Sequence, residues 1–458
     1  MAHTVPLAPI RGRRATLPLA VELWAAAVLS ASLGLLSGAF GSEHPIARVF
    51  LAFALVPAAA LVIRAIGSGG ERTVSLFCSL YLTCGLLVPG LFQAASGRFP
   101  FYNLDYPAQE VTAAAGVAAT FMWTVYLAHL ASGFKPVGAR CRVTIRPHLA
   151  GVVVLFLAGL GLLIAIRVGP QFFLSPRGAV FSELGVTQTM HIAVARMATF
   201  TGLALSLFLL ARSNGNRFAP IATAMVAALS FLFVNFPLSL PRFYMLGYAV
   251  GLVSLLYPLR TSLIKAVVAV SYPVLMITVF PAASALTRGA RGQDVFINWK
   301  SYFLSSGDLD GFQSIINVYR WVALDGFRMG HQAVSTLAAF VPRSWWPEKA
   351  LPTGVAAAQA NGYVFTNVSA PLPAEFYADF GLIGVVLGGL ATGRAIAFAD
   401  HLLNGNREQG RPSLVLAISL VAGFSAILLR GSLMGVIMPC ALAIALSQLV
   451  RLTERSNG

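Results

Sequence analysis

Long apolar stretches recur along this chain, and they constrain its fold more than any other feature. Each is long enough for a helix to cross a hydrocarbon core of about 30 Å, which takes about 20 residues. Only 10% of the residues are charged, whereas a soluble domain carries about 25%. The sequence therefore predicts an all-α polytopic integral membrane protein. We count about twelve stretches, at approximately residues 17–40, 46–66, 73–95, 110–132, 148–168, 188–210, 218–237, 242–258, 264–285, 373–398, 413–429 and 433–450.

Lysines and arginines are dense in every second connection, and this alternation predicts the topology. Positive residues collect in the cytoplasmic connections of membrane proteins. The dense set is Arg64, Arg72, Lys135, Arg140, Arg142, Arg146, Arg212, Arg217, Arg260, Lys265, Arg407, Arg411, Arg451 and Arg455. The sparse set is Arg48, Arg98, Arg167, Arg177, Arg242 and Arg430. We therefore expect both termini in the cytoplasm.

This topology divides the chain into five parts. The first apolar stretch is too long for the core of a signal peptide, so we expect it to remain as a transmembrane helix. The parts are a cytoplasmic tail (1–16), nine transmembrane helices (17–285), a large external loop (286–372), three further helices (373–450) and a second cytoplasmic tail (451–458).

Composition and motifs exclude several classes of function. The net charge of +16 would suggest nucleic acid in a soluble protein, but the positive-inside bias explains much of it, so no nucleic-acid partner is expected. The four cysteines lack the spacing of a metal site or a disulfide framework, and we expect buried thiols. No phosphate-binding loop or dinucleotide fingerprint occurs. We predict neither a metal nor a cofactor.

The external loop begins its ordered part with an amphipathic segment, from 311 to 340. Its apolar residues have helical spacing, and Gly326 is expected to divide it into two helices. The segment is too polar to span, so it should lie in the interface or cap the bundle. Its polar stripe is either a solvated face or a basic lining above a pocket. The stripe consists of Asn317, Arg320, Arg328 and His331.

A stiff turn follows, in which two prolines exclude continued helix. Trp345 and Trp346 suit the level of the lipid headgroups, where an aromatic ring has one wet end and one apolar end. Arg343 and Lys349 are then held at the membrane surface. The turn is either a simple interfacial anchor or an arm that carries two ligand-binding cations.

Two acids open the tenth apolar stretch, after a Gly/Ala/Asn-rich segment (353–369) that we interpret as a flexible flap. Glu375 and Asp379 are four residues apart and share one helix face. Acids at this depth are costly unless they contact water or a cation. They are either partners of the loop arginines, or one of them is a general base.

Isolated arginines mark three further positions. Arg242 opens the eighth stretch and Arg430 separates the last two, and neither has an acidic sequence neighbour. Each either snorkels to the interface or offers its planar fork to phosphate oxygens. Arg196 lies about two turns into the sixth stretch and should face the bundle interior, with Glu183 or His191 as candidate partners.

Taken in order, these elements resemble the bacterial O-antigen polymerases, also called oligosaccharide repeat-unit polymerases. The resemblance covers roughly residues 230–440 and depends on short elements rather than on one sharp signature. Lys349 departs from the family pattern, because Glu348 stands between Pro347 and the lysine. The elements are Arg242, Pro342-Arg343, Pro347-Glu348-Lys349, Glu375-Phe376-Tyr377 with Asp379-Phe380-Gly381 and Gly384, and Arg430-Gly431.

The resemblance implies a GT-C-like glycosyltransferase on the outer face of the bacterial inner membrane. Such enzymes join undecaprenyl-diphosphate-linked oligosaccharide units into O-antigen or exopolysaccharide without nucleotide sugar or metal. Membrane lipid, a chain-length regulator and a flippase are the other candidate partners. The matching positions carried over are Arg242, Arg343, Glu375 and Arg430, with Lys349 held less firmly.

Glycosyl transfer from a diphosphate needs cations for the leaving group and a base for the acceptor hydroxyl. We expect Arg242 and Arg343 to bind the diphosphate, and Arg430 to contact a second phosphate or a sugar. Glu375 is the first candidate for the base and His331 the second. Lys349, Arg320 and Arg328 are further candidate diphosphate ligands, and Trp345, Trp346 and Tyr377 are candidates for stacking on sugars.

Two other functions fit the same sequence. An O-antigen ligase uses the same lipid donor but transfers finished glycan to a lipid core. A transporter or flippase for lipid-linked glycans belongs to a different class, in which inverted repeats and broken midplane helices are typical. We find no such repeated halves in the sequence.

Overall fold

The computed structural model describes residues 18–101, 105–134, 143–175, 186–213, 217–287 and 299–456. The predicted N-terminal tail (1–16), Cys141 and Glu183 lie outside these residues. Before the external loop the helices are α1 (Leu19–Ser37), α2 (Pro45–Gly67), α3 (Thr73–Tyr81), α4 (Val88–Ser96), α5 (Ala108–Ala131), α6 (Pro147–Val168), α7 (Gln171–Leu174), α8 (Val186–Arg212), α9 (Phe218–Val234), α10 (Arg242–Leu256) and α11 (Ser262–Thr287).

The loop and the C-terminal part are also helical. Their helices are α12 (Trp299–Ser305), α13 (Gly311–Asp325), α14 (His331–Leu337), α15 (Thr353–Ala360), α16 (Leu372–Gln409), α17 (Pro412–Gly423), α18 (Ser425–Arg430) and α19 (Leu433–Gln448). Two short strands, β1 (Val143–Ile145) and β2 (Glu454–Ser456), pair antiparallel.

Within the described residues, nine helical segments are long and apolar enough to cross a membrane. A π-helical turn, Leu82–Leu87, joins α3 to α4, so that these two helices form one of the nine segments. Three shorter apolar helices, α9, α10 and α17, lie where the sequence also predicts spans. The prediction of an all-α polytopic membrane protein is confirmed at this level.

The connections collect at two ends of the bundle. At the loop end, residues 299–372 meet the ends of α4, α10 and α18; for example, the Phe101 backbone N–H donates to Gln313 Oε1 at 2.9 Å. At the opposite end, residues 68–73 meet α11 and the end of α16, where Asn404 Nδ2 donates to the Glu71 carbonyl at 2.7 Å. Among the described residues, Arg242 and Arg430 of the sparse set lie at the first end, and Lys265 and Arg407 of the dense set lie at the second.

The amphipathic segment of the loop forms two helices, as predicted. Gly326, at φ +77°, ends α13. Phe312 and Ile316 are buried where α13 packs against α5, α15 and α16, so α13 caps the bundle.

The segment after Pro352 differs from the predicted flexible flap. It begins with α15, because a run of alanines follows the helix-starting proline. Further along, the Tyr363 hydroxyl accepts from Asn317 Nδ2 at 2.9 Å and from Gln313 Nε2 at 3.2 Å. Burial of this hydroxyl raises the pKa of Tyr363. These contacts fasten the segment to α13.

Helix α16 is broken near its start, at Phe380 and Gly381. Gly381 has φ +59°, which a side chain would strain. The loop after α13 fills the break, since the Arg328 N–H donates to the Ala378 carbonyl at 2.8 Å and the Met329 N–H donates to the Asp379 carbonyl at 3.0 Å. The break thus joins the external loop to the helix that carries Glu375 and Asp379.

Candidate functional site

Two arginines that are distant in sequence meet on one short turn of the loop, between α12 and α13. Arg242 Nη1 donates to Asp308 Oδ2 at 2.6 Å. Arg430 Nη2 donates to Asp310 Oδ1 at 2.9 Å and to the Gly307 carbonyl at 2.7 Å. The turn therefore brings together two residues that the sequence analysis assigned to diphosphate binding.

The two aspartates neutralise much of this positive charge. Asp310 is fully buried, and its Oδ2 also accepts from the Ser369 N–H at 3.1 Å. The Arg430 guanidinium lies over the Phe243 ring at 4.6 Å, and 21% of its side chain is exposed. Among the described residues, Nη1 of Arg430 has no hydrogen-bond acceptor. Arg430 thus keeps a donor for a ligand while its other nitrogens hold the turn.

Glu375 is buried and receives three hydrogen bonds. Its Oε1 accepts from the Leu433 N–H at 2.8 Å and from the Ser432 hydroxyl at 2.9 Å. Its Oε2 accepts from the Thr353 hydroxyl at 2.5 Å. Glu375 therefore caps the N-terminus of α19, two residues after Arg430. A carboxylate has about four lone-pair sites, so one site on Oε2 is left for a further donor.

Asp379 also caps a helix. Its two oxygens accept from the Gln332 N–H at 3.0 Å and from the Ala333 N–H at 2.9 Å, in the first turn of α14. Among the described residues, neither Asp379 nor Glu375 forms an ion pair with an arginine. The described loop arginines, Arg320, Arg328 and Arg343, are therefore not ion-pair partners of either acid.

Arg343 and Lys349 brace the connection between α14 and α15. Arg343 donates to the carbonyls of Lys349 at 2.5 Å and Ala350 at 2.6 Å. Lys349 Nζ donates to the carbonyls of Ala339 at 2.8 Å and Val341 at 3.0 Å. Burial, with the neighbouring Arg343 charge, lowers the pKa of Lys349. Backbone oxygens therefore satisfy both cations in this structure.

The predicted polar stripe does not form one lining. Arg320 Nε pairs with Glu110 Oε2 at 2.5 Å, and its guanidinium lies over the Tyr106 ring at 4.8 Å. Arg328 folds back onto backbone carbonyls and lies over the Trp321 ring at 5.0 Å. Asn317, also in the stripe, is fully buried against α15 and its following segment.

The aromatic candidates occupy two places. The His331 ring meets the Trp346 ring edge-on, with the centroids 6.0 Å apart. Trp345, its sequence neighbour, is 82% exposed. Tyr377 stacks on Tyr319 at 5.7 Å. His331, Trp345 and Trp346 thus lie near Arg343, while Tyr377 lies at the α13–α16 contact.

The opposite end holds a second set of buried charges, which the sequence analysis missed. Arg407 Nε pairs with Glu71 Oε2 at 2.9 Å. Burial raises the pKa of Glu71, and the Arg407 charge opposes this shift. Lys265 Nζ, fully buried, donates to the carbonyls of Ser68 at 2.8 Å and Gly70 at 2.7 Å. The sequence analysis used Lys265 and Arg407 only to predict the orientation in the membrane, so it did not identify their buried contacts.

Asp400 completes this second set. It accepts from the Val74 N–H at 2.8 Å and the Ser75 N–H at 3.2 Å, and so caps α3. The Ser75 hydroxyl donates to Asp400 Oδ2 at 2.5 Å and lies 2.9 Å from His129 Nε2. Asp400 lies two residues beyond the predicted end of the tenth apolar stretch (373–398), so no sequence signal marked it, and α16 continues to Gln409 in the structure.

Arg196 lies in the bundle interior, as predicted, and is 5% exposed. Its Nη2 donates to the Ser239 carbonyl at 3.4 Å. His191, one predicted partner, is exposed, and Glu183 lies outside the described residues. The free thiols Cys78 and Cys440 are buried.

A cleft of about 430 Å³ opens beside α12, on the approach to the turn that holds Arg242 and Arg430. Its lining carries two cations but none of the predicted site residues. The lining residues are Arg98, Phe99, Pro100, Lys300, Ser301, Leu304 and Ser305.

Comparison with known proteins gives no match: no family model, no curated protein and no solved structure is similar to this chain. Within the part of the chain that the structure describes, no three His, Cys, Asp or Glu side chains are grouped to hold a metal ion. A functional proposal therefore depends on the geometry of the loop end.

Proposed function

We propose that this protein is a membrane glycosyltransferase that polymerises undecaprenyl-diphosphate-linked oligosaccharide units into O-antigen or exopolysaccharide. The proposal includes twelve membrane spans, a GT-C-like architecture, location in the bacterial inner membrane, cytoplasmic termini and an external loop. It also includes relationship to the O-antigen polymerases, on the residue pattern given above.

The convergence of Arg242 and Arg430 on one turn carries the proposal. The sequence resemblance marks both arginines, Arg242 as a diphosphate ligand and Arg430 as a contact to a second phosphate or a sugar. Arg430 is partly exposed and retains an unpaired Nη1 among the described residues. Glu375 accepts from Ser432 and Leu433, which follow Arg430 by two and three residues in the chain. The same segment therefore carries a candidate cation for the diphosphate and contacts a candidate base.

In the proposed reaction, an acceptor hydroxyl oxygen attacks the anomeric carbon while the bond to the diphosphate oxygen breaks. The bonding electrons leave with the diphosphate, whose growing negative charge Arg430 and Arg242 stabilise. One well-placed donor of this kind is worth about 3–4 kcal/mol. The aspartates hold both guanidinium groups in place, so little reorganisation is needed when the substrate binds.

The proton of the acceptor hydroxyl needs a base, and two candidates differ in setting. Glu375 is buried, with one lone-pair site left on Oε2. His331 is exposed beside Trp346. The contacts of Glu375 with Ser432 and Leu433, just after Arg430, favour Glu375, because donor and acceptor must react at one point.

The remaining candidates take supporting roles in this proposal. Arg343 and Lys349 shape the connection that carries Trp345 and Trp346, which stack on sugars. Tyr377 is a further stacking residue. Arg320 and Arg328, tied to neighbours elsewhere on the loop, contribute least to diphosphate binding.

The test is a reaction of the purified protein in lipid nanodiscs with polyprenyl-diphosphate-linked repeat units alone. A ladder of lengthening lipid-linked glycans, formed without nucleotide or added metal, supports polymerisation. Unchanged single units contradict it. Transfer that occurs only when a lipid-core acceptor is supplied would indicate the ligase instead.

One observation favours transport as a second candidate function. Two membrane segments depart from regular helix, at the π-helical turn Leu82–Leu87 and at the break near Gly381. Broken helices that bear charges at both ends are typical of transporters. Movement of intact lipid-linked units across a sealed vesicle membrane, without chain lengthening, would favour this function.

A further inference from the structure

The loop end presents a broad apolar surface, which we call the apolar ledge. Leu324, Met329, Leu337 and Phe340 form it, at the end of α13, in the α13–α14 connection, and at and just after the end of α14. Each is between 66% and 75% exposed. A loop surrounded by water rarely leaves so many large apolar side chains uncovered.

The ledge is continuous with a membrane-spanning helix. The Phe327 ring lies against Gly381, and Gly330 lies against the Phe380 ring, so the loop and α16 share one surface. Immediately beyond the break, Ile383 is 72% exposed on a segment that is long and apolar enough to span. Lipid that covers Ile383 would therefore extend over the adjacent loop residues.

Three cations of this loop donate to its own backbone. Hydrocarbon offers no hydrogen bonds, so irregular backbone at membrane depth must find its partners within the protein. Lys349 supplies donors to the carbonyls of Ala339 and Val341, and Arg343 supplies them to its own loop. Arg328 likewise donates to carbonyls of the α13–α14 connection. Part of the irregular backbone thus has internal donors, while the side chains of Arg343 and Glu348 stay exposed.

We propose that the apolar ledge is embedded in the acyl-chain layer of the bilayer and that its partner is lipid hydrocarbon. In this arrangement the external loop forms a re-entrant segment beside α16 that reaches below the lipid headgroups. The tryptophan pair alone predicts a shallower position, at the headgroup level. The proposal does not depend on glycosyl transfer, since a protein of any activity could use such a segment.

Spin labels measure this depth directly. A single cysteine is placed at Leu337 or Met329 in a full-length, cysteine-free background, labelled with a nitroxide and reconstituted in phosphatidylglycerol/phosphatidylethanolamine nanodiscs. Val364 is the matched control, because it is 90% exposed on the same loop but outside the ledge. Oxygen concentrates in acyl chains, whereas a water-soluble nickel chelate is excluded from them.

Oxygen should enhance the spin relaxation of the ledge labels more than the nickel chelate does. The nickel chelate should have the greater effect on the Val364 label. Equal nickel access at Leu337, Met329 and Val364 would overturn the proposal. So would dipolar coupling between labels on two copies, because a second copy would then be the occupant. Two ledge positions are used so that one misfolded variant, detected by gel filtration, still leaves a reading.

Discussion

The two ends of this bundle use the same residue types in different ways. At the opposite end, Arg407, Glu71 and Lys265 are almost completely enclosed and meet short connections. At the loop end, Arg430 and Arg320 keep about a fifth to a quarter of their side chains exposed. Full enclosure is typical of charges that fix a structure, while partial exposure leaves charges able to meet a ligand. Arg64, 32% exposed beside Glu22, is an exception at the opposite end, and Arg242, 10% exposed, is one at the loop end. The comparison therefore assigns stability to the Arg407–Glu71 pair and binding to Arg430.

Helix α16 connects the two ends and shows the same division. Asp400 caps α3 at the opposite end, and Glu375 and Asp379 cap α19 and α14 at the loop end. Each of these acids thus accepts a hydrogen bond from an N–H group in the first turn of another helix, where a negative charge is stabilised. Of the three, only Glu375 accepts from residues that closely follow Arg430 in the chain, Ser432 and Leu433.

The largest expected effect is on stability at the opposite end. Arg407→Ala leaves the Glu71 charge buried and unpaired, and breaking such a pair costs about 3–5 kcal/mol. We expect a large fall in the apparent melting temperature in nanodiscs. Arg451→Ala, an exposed position at the same end, should leave it unchanged. Glu71→Gln in the Arg407→Ala background should restore part of the loss, because no charge is then stranded. A stable Arg407→Ala protein would contradict this division of roles.

The next effect is on activity at the loop end. Arg430→Ala combined with Asp310→Asn removes the guanidinium without stranding a buried acid. We expect glycan elongation to fall about 10²- to 10³-fold, the loss typical of one removed transition-state donor. Asp310→Asn alone serves as the control and should retain more activity. Full activity in the double variant would show that the turn is only structural.

Glu375 and Asp379 form a matched pair for the role of base. Glu375→Gln keeps an oxygen for the Ser432 and Leu433 donors but cannot take a proton, so elongation should fall about a hundredfold or more. Asp379→Asn keeps an oxygen for one of the two α14 N–H groups and turns a donor toward the other, which should cost about 1–3 kcal/mol of stability, with elongation retained. The measurement is initial rate beside melting temperature for each variant. If Glu375→Gln and Asp379→Asn both retained full activity, Glu375 would not be the base, and His331 would be the remaining candidate.

The sequence predicts the spans well because hydrophobic length alone determines them. It does not predict the ion pairs, since Arg242 and Asp308 are 66 residues apart and Arg430 and Asp310 are 120 apart. Only the three-dimensional fold brings the two residues of each pair into contact. The break at Gly381 also escapes prediction, because glycine is common in transmembrane helices.

Other features of the site were readable but underused. The alanine run after Pro352 indicates a helix, whereas the Gly/Ala/Asn-rich composition of residues 353–369 suggested a flexible flap. The capping role of Glu375 depends on where α19 begins in space, so no local pattern reveals it.

The smallest expected effect concerns Arg320, and it determines how far the binding region extends. Its pair with Glu110 is partly exposed, with 27% and 22% of the two side chains accessible, and such pairs contribute about 0–1 kcal/mol. Arg320→Ala and Glu110→Ala should therefore lower the free energy of unfolding by similar small amounts, with a small coupling in the double variant. Elongation should be unchanged in all three. If Arg320→Ala slows elongation and Glu110→Ala does not, the arginine contacts substrate, and the binding region reaches from the Arg242–Arg430 turn to α13.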